Sequence, residues 1–342
     1  MKIDLRATLR AHNTFGFDVF ADHLAYLTEV SDIPLFVEKA QQQKAPWQVL
    51  GGGSNLVLAT NLLGYTGLMQ IKGRRLLEST DTHVLLEAMA GEDWHEFVTW
   101  TVDQGYGGLE NLALIPGTVG ASPIQNIGAY GLELSEVMDS LTAFDAQRNE
   151  WVQFSAAECQ FAYRHSVFKN DPNRYIVSSV CFKLPKHWQP NLTYAELAKA
   201  FSEQIQKKEK ITPKDIFNKV CEIRSAKLPN PKILGNSGSF FHNPIVPSQQ
   251  YQLLKERFPH LVAYPANSSS SDWKLAAGWL IDQCGFKGYR SGHVGVYEKQ
   301  ALVLVHHGGG TGSELLALAQ QIQTKVFDTF GVQLSIEPVL FA

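Results

Sequence analysis

The chain has 342 residues, enough for about two domains at roughly 150 residues each. Hydrophobic residues make up 44% and charged residues 18%, a balance that supports a sizeable core and excludes wholesale disorder. Thirty basic against thirty-three acidic side chains leave a formal charge of −3, which argues against a nucleic-acid binder acting through a general basic field and still allows a local cationic pocket.

Up to about residue 70, short apolar runs alternate with turn residues. Val49 and Leu50 lead into Gly51-Gly52-Gly53-Ser54-Asn55 and then Leu56-Val57-Leu58, a pattern of strand, tight glycine turn and strand. Residues 82–90 predict another strand. After Gly91 a helix is expected from Glu92 to about Asp103, with Trp94, Phe97, Val98 and Val102 on one face. Residues 105–131 carry seven glycines, several times ordinary usage, in a long loop whose apolar content favours function over disorder. Strands are expected at 137–144 and 175–184, the second nearly continuous in apolar residues and so buried.

Pro185 to Pro190 marks a boundary, after which the pattern becomes more helical. Thr212-Pro213-Lys214-Asp215 supplies a cap, a proline at the first helical position and an acidic third residue, followed by the apolar stripe Ile216, Phe217, Val220 and Ile223. Further helices are predicted at 274–284, closed by Gly285, and at 313–330, with Leu315, Leu318, Ile322 and Val326 on one side and Gly331 as the stop. Strands flank the latter at 301–306 and 332–341. No repeat with a period of 20–50 residues is visible, and Ser268 to Ser271 is the one low-complexity tract. The class is α+β.

Cys159, Cys181, Cys221 and Cys284 lie far apart with no Cys-x-x-Cys pair, so reduced thiols and the cytoplasm are expected. No run approaches ~18 apolar residues, and the opening MKIDLRATLRAHNTFG has no apolar signal core, so neither a membrane span nor secretion is expected. His306 and His307 precede Gly308-Gly309-Gly310 without carboxylate or cysteine companions, and no metal is assigned.

Loops of small residues let backbone N–H groups converge on an anion without Cβ atoms in the way. Residues 51–55 do not form a P-loop, since no Gly-Lys-Ser/Thr follows. They are not a Rossmann fingerprint either, since strand residues stand where a helix should begin. Alone, this loop reads equally as a hairpin turn or an anion cradle. In the second loop, Pro116-Gly117 and Gly120-Ala121-Ser122-Pro123 make two bends, and Gln125-Asn126 supply amides able to read a polar ring edge. Two such loops suit a ligand with a pyrophosphate and a flat head group, a dinucleotide; turns without a ligand are the alternative.

Several blocks then resemble one family. Asn13-Thr14-Phe15, Leu50 to Asn55, Gly108 to Ala121 (GLENLALIPGTVGA), Pro123 to Gly131 (PIQNIGAYG), Tyr163-Arg164-His165-Ser166 and Gly238-Ser239-Phe240-Phe241-x-Asn243-Pro244 are similar, in order, to UDP-N-acetylenolpyruvoylglucosamine reductases. The resemblance runs from about Asn13 to the C-terminus. It implies a two-lobed FAD-binding domain of the vanillyl-alcohol-oxidase (PCMH) type, lobes 1–72 and 73–186, a connecting segment 187–228 with a substrate loop, an α+β substrate-binding domain at 229–330, and a C-terminal strand 331–342 returning to the active site. It implies an enzyme of peptidoglycan precursor synthesis in a bacterial cytoplasm, in which NADPH reduces FAD and FAD reduces an enolpyruvyl ether to the lactyl ether of UDP-N-acetylmuramate. The partner is a small sugar nucleotide, with no nucleic acid and no membrane; oligomeric state is left open, a monomer included.

The resemblance assigns FAD to Gly51, Gly52, Gly53, Ser54, Asn55, Pro116, Gly117, Gly120, Ala121, Ser122, Gln125, Asn126, Gly128, Tyr130 and Gly131, and substrate to Tyr163, Tyr194, Lys227, Asn243 and Gln300. Tyr194, in Leu192-Thr193-Tyr194-Ala195-Glu196-Leu197, matches the type I branch, whose tyrosine loop closes over substrate. The catalytic set is Arg164, Ser239 and Glu337. Hydride addition to the enolpyruvyl β-carbon drives charge onto the carboxylate, which a guanidinium can grip bidentately. A buried, protonated Glu337 would donate a hydrogen bond to that charge, and Ser239 would give the α-carbon its proton. The family ending Glu-Pro-Glu-Val-Arg reads Ser335-Ile336-Glu337-Pro338-Val339 here. Aligned without gaps from Phe330, Glu337 takes the catalytic position; matching the Glu-Pro pair instead would place it on the first glutamate. The ungapped register is preferred, and the family's arginine is missing. A flavin oxidase of the same fold and a non-catalytic sugar-nucleotide binder are the competing readings.

Overall fold

The computed structural model describes residues 1–266 and 271–341, so the predicted serine tract falls, from Ser268 to Ser270, outside the described residues. The chain divides into two units. One comprises Met1–Ala7, Phe20–Gly53 and Leu62–Ala226, the other Thr8–Val19, Ser54–Asn61 and the chain from Lys227 onward.

The first unit holds two sheets. Four strands stand in the order Lys2–Thr8, Phe20–Leu27, Leu62–Met69, Trp47–Leu50, with Leu62–Met69 parallel to both of its neighbours. Parallel neighbours need a crossover, and the helix Asp32–Gln42 lies between Phe20–Leu27 and Trp47–Leu50 in the chain. Its residues Ile33, Phe36, Val37 and Ala40 follow the helical period and are buried, a signal overlooked in the alternating reading of this region.

The second sheet is antiparallel, in the order Glu150–Ser155, Met138–Asp145, Tyr175–Pro185, His83–Met89, Arg74–Ser79. Its central strand Tyr175–Pro185 buries five successive residues from Ile176 to Val180, as its continuous apolar run predicts. Asp93 caps Trp94–Asp103 by accepting the Glu96 N–H at 2.9 Å. Thr212 and Asp215 bond reciprocally at the head of Pro213–Lys227, the Thr212 N–H to Oδ2 at 2.8 Å and the Asp215 N–H to Oγ1 at 3.3 Å.

In the second unit the strands Gly235–Ser239, Val303–His306, Val294–Val296 and Arg290–Ser291 form one sheet, and the helix Gly312–Phe330 buries Leu315, Leu318, Ile322 and Val326. Phe15, Phe17 and Val57 belong to the same core, which explains why two short N-terminal segments fold with the C-terminal half. Leu56–Leu58 pairs in parallel with Val339–Phe341.

Three expectations are corrected. Residues 51–55 do not close a hairpin: Trp47–Leu50 pairs with Leu62–Met69, and Leu56–Leu58 with Val339–Phe341. The helix predicted over 274–284 begins only at Ala277; Trp273–Leu275 is a strand between Ile245–Val246 and Ala263–Pro265, because ladder bonds claim its backbone first. The strand predicted over 332–341 shrinks to Val339–Phe341, preceded by a single bridge between Ile336 and Phe241. Among the described residues no helix is long and apolar enough to cross a membrane.

Candidate functional site

In the first unit the two glycine loops meet. A Cβ on Gly52 would stand 2.9 Å from the Gly117 Cα, and one on Gly51 would stand 2.5 Å from the Thr118 Oγ1. Only glycine permits that approach. Among the described residues the N–H groups of Gly51, Gly52, Gly117 and Thr118 donate to no acceptor, and the buried Thr118 hydroxyl has no hydrogen-bond partner. A buried hydroxyl without a partner is costly, and that hydroxyl, with four open N–H groups on abutting turns, matches the acceptor oxygens of a diphosphate. The neighbouring N–H groups of Val119, Gly120, Ala121 and Ser122 are satisfied internally, by Glu92, Ala90, Thr118 and Val119. Gly120 is a packing glycine, since a Cβ there would lie 2.4 Å from the Ala90 Cβ, and the Ser122 hydroxyl closes its own turn on the Val119 carbonyl at 2.6 Å.

The following stretch is stitched to the segment bearing Arg164. The Ser166 hydroxyl donates to the Ile124 carbonyl at 2.6 Å, and Arg164 donates through Nη2 to the Gly128 carbonyl at 2.7 Å and through Nη1 to the Asn126 carbonyl at 3.4 Å. The Asn126 amide is engaged within the unit, donating to Glu133 at 2.8 Å and to the Ala162 carbonyl at 3.3 Å and accepting the Ser135 N–H at 3.0 Å. Its side chain therefore braces the loop. Arg164 adopts φ +53, a left-handed conformation that bulky residues rarely hold, and its guanidinium lies over the Tyr163 ring at 5.3 Å.

Tyr130, also left-handed, meets Tyr194 edge-on at 4.9 Å. Burial pushes the Tyr130 phenol up to about 12. The Tyr194 segment is tied back through Asn191, which donates to the Gly131 carbonyl at 2.9 Å, and through Asn111, which donates to the carbonyls of Tyr130 at 2.8 Å and Asn191 at 3.0 Å. Asn111 stands in the motif block Gly108 to Ala121 but no role was read for it from the sequence, nor for Arg224, whose Nε is buried without a partner.

In the second unit Ser239 ends the strand Gly235–Ser239, just past a break in its register with Val303–His306. Asn236 builds that break: its Oδ1 accepts the Gly238 N–H at 2.9 Å, and its Nδ2 donates to the carbonyls of Leu234 at 2.9 Å and Pro229 at 3.1 Å. Gly238 takes φ +74 there. Residues 335–337 run beside 240–242: the Glu337 N–H donates to the Phe240 carbonyl and the His242 N–H to the Ser335 carbonyl, both at 3.0 Å. Glu337 is thereby fixed next to the serine-bearing segment, with its Oε2 3.6 Å from the His242 Nδ1. Asn243 Oδ1 caps the helix Ala277–Gln283 by accepting the Ala277 N–H at 2.9 Å, and Gln300 Oε1 accepts the Leu302 N–H at 3.3 Å. Lys227 ends the helix Pro213–Lys227, and Ser54 and Asn55 precede Leu56–Leu58. Among the described residues no cluster of three or more histidine, cysteine or acidic side chains could hold a metal ion.

A family model described as an FAD binding domain matches residues 21–153, spanning both glycine turns, and the donor set there fits that cofactor. The class is thus an FAD-dependent oxidoreductase. A second model, the C-terminal domain of UDP-N-acetylenolpyruvoylglucosamine reductase, matches residues 230–341. The reductase of that name from Polynucleobacter asymbioticus is 52% identical over 337 residues, covering 98% of this chain and 96% of the relative. The one from Burkholderia vietnamiensis is 48% identical over 332 residues, covering 97% and 95%. The crystal structure of the Thermus caldophilus enzyme superposes with a TM-score of 0.66 over the whole of both chains at 20% identity, a likeness of fold. The chain belongs to the UDP-N-acetylenolpyruvoylglucosamine reductase family.

Proposed function

We propose that this chain uses NADPH to reduce UDP-N-acetylglucosamine enolpyruvate to UDP-N-acetylmuramate, a cytoplasmic step of peptidoglycan precursor synthesis. Family membership supports the reaction; the observation that best supports the residue roles is the backbone bonding of residues 335–337 to 240–242. It favours the ungapped register, in which Glu337 is the catalytic glutamate.

FAD, when bound, would supply the two-electron hydride chemistry that links the nicotinamide to the enolpyruvyl β-carbon. The free N–H groups of Gly51, Gly52, Gly117 and Thr118 would hold its diphosphate, Thr118 adding a hydroxyl. Arg164, already anchored by two backbone carbonyls and the Tyr163 ring, would grip the substrate carboxylate and stabilise the charge that hydride addition drives onto it. Protonated Glu337 would donate to the same oxygens. Ser239 would then pass its hydroxyl proton to the α-carbon, the carboxylate re-forming as the C–H bond closes and the serine oxygen regaining a proton from solvent. Lys227, Asn243 and Gln300 would hold the nucleotide diphosphate and sugar, and Tyr194, resting on Tyr130, would cover the substrate.

Both NADPH and the sugar nucleotide must reach the same flavin nitrogen in turn. Steady-state rates with both substrates varied should give parallel double-reciprocal lines, with each substrate inhibiting competitively against the other at high concentration. Intersecting lines without such inhibition would contradict a shared site.

A further inference from the structure

Residues 186–194 lead from the strand Tyr175–Pro185 to the helix Ala195–Ala200 and carry Tyr194, yet they form no helix or strand of their own. Their place is therefore set by what holds them. Beyond Lys186, whose N–H donates to the Thr82 carbonyl at 2.9 Å, the hydrogen bonds that fasten the segment run to one loop, residues 105–131. At the far end the Asn191 side chain donates to the Gly131 carbonyl at 2.9 Å, and the Asn191 carbonyl accepts the Asn111 amide at 3.0 Å. At the near end the Trp188 indole N–H donates to Glu110 Oε1 at 2.6 Å.

The near tie is the unusual one. Glu110 is only 2% exposed, a place that an acidic side chain seldom takes without compensation. Its Oε2 accepts the Gly108 N–H at 2.6 Å, so each oxygen faces its own donor. Burial pushes the carboxyl up, and the Gly108 N–H, the indole and the backbone of Leu109 and Glu110 act in the opposite sense. The indole is fitted as well as bonded. A Cβ on Gly107 would stand 2.4 Å from its Cδ1, so only glycine lets the ring lie there. One oxygen suffices for the Gly108 turn, and a glutamine would serve it. The second oxygen is committed to Trp188, 78 residues further along the chain. Tyr194 stands edge-on to Tyr130 at the end of the segment so fastened.

We propose that Glu110 is a positioning residue for the sugar nucleotide: through the Trp188 indole it latches residues 188–194 onto the loop 105–131 and so fixes where Tyr194 stands. The inference rests on the covering role proposed for Tyr194. A latched segment spends most of its time in the place that binds substrate. Releasing it lowers that fraction, and the apparent affinity for the sugar nucleotide falls by the same factor. Reduction of the flavin by NADPH does not call on Tyr194 in this reading and is left as it is.

Steady-state and stopped-flow kinetics of the holoprotein should compare the unaltered chain with Trp188→Phe, Glu110→Gln and the double variant. Trp188→Phe keeps an aromatic ring and removes the N–H. It should raise KM for UDP-N-acetylglucosamine enolpyruvate about tenfold, the worth of one charge-assisted hydrogen bond. Its kcat and its rate of flavin reduction by NADPH should stay within about twofold of the unaltered chain. Glu110→Gln should raise the same KM, and the double variant should go no further than the larger single effect, because both changes remove one contact. An unchanged KM in Trp188→Phe, additive effects in the double variant, or equal losses in both half-reactions, as a general loosening of the loop would give, overturns the proposal. Trp188 is half-buried, so its variant decides the matter if Glu110→Gln does not fold. If the unaltered chain does not turn over the sugar nucleotide, the covering role of Tyr194 fails and the latch with it. If it does and KM stays where it was, the latch alone fails.

Discussion

Serine is a weak acid, and its assignment as proton donor is the boldest at the scale of single residues. It becomes chemically reasonable only because the acceptor is a carbanion-like α-carbon next to a charge-laden carboxylate. Ser239→Ala should leave reduction of the flavin by NADPH intact and slow its reoxidation by the enolpyruvyl sugar nucleotide by about 10²- to 10⁴-fold. Stopped-flow measurement of the two half-reactions separates these effects; equal losses in both would mean that Ser239 only maintains the fold. The sequence motif names Ser239 but not Asn236, whose three hydrogen bonds shape the bulge before it. Nor does the motif distinguish side chains that could reach a ligand from those that brace the loop, and Asn126 is engaged in bracing. Arg224 was detectable in principle. A charged residue eight positions after Ile216 and four after Val220 interrupts an apolar stripe, and such an interruption calls for a partner.

Secondary structure with strong local signals is legible at the scale of elements. The helices Trp94–Asp103, Pro213–Lys227 and Gly312–Phe330 begin at their capping residues, and the apolar run over Tyr175–Pro185 is indeed a central buried strand. Pairing partners are not legible, because they depend on distant chain. The glycine turn at 51–53 looks like a hairpin from its flanks alone, yet Leu56–Leu58 takes its partner from Val339–Phe341. Where a turn is stabilised by charge, a pH dependence follows. Asp145 closes Met138–Asp145; burial acts to raise its carboxyl, but Arg174 at 2.9 and 3.1 Å and the N–H groups of Arg148 and Gln147 outweigh this and hold it below the usual carboxylate range. A depressed acid contributes stability above its unfolded pKa of about 3.9 and loses it as pH falls through the folded value. Asp145→Asn should therefore cost about 2 kcal/mol at neutral pH, and the difference from the unaltered chain should narrow by about pH 3. Denaturant titrations at the two pH values check this, and a constant difference would refute the charge argument.

At the scale of the whole molecule, length and composition suggest two bodies of roughly the right size, but not that one of them gathers Thr8–Val19, Ser54–Asn61 and the C-terminal third. Phe15, Phe17 and Val57 join that core through contacts across more than half the chain, which no local pattern encodes. The family was readable because its motifs sit at the turns where glycine is sterically required and at the positions proposed as catalytic. The central claim is that electrons pass from NADPH through bound flavin to one enolpyruvyl sugar nucleotide. Its most direct test is an anaerobic single turnover: reduce the purified yellow holoprotein with one equivalent of NADPH, add one equivalent of UDP-N-acetylglucosamine enolpyruvate, and follow flavin absorbance and product mass together. The account predicts bleaching, then full recovery of colour as a lactyl ether two hydrogens richer forms in equal amount. Protein without flavin, or reduced flavin that ignores the sugar nucleotide and recovers only when oxygen is admitted, would contradict it.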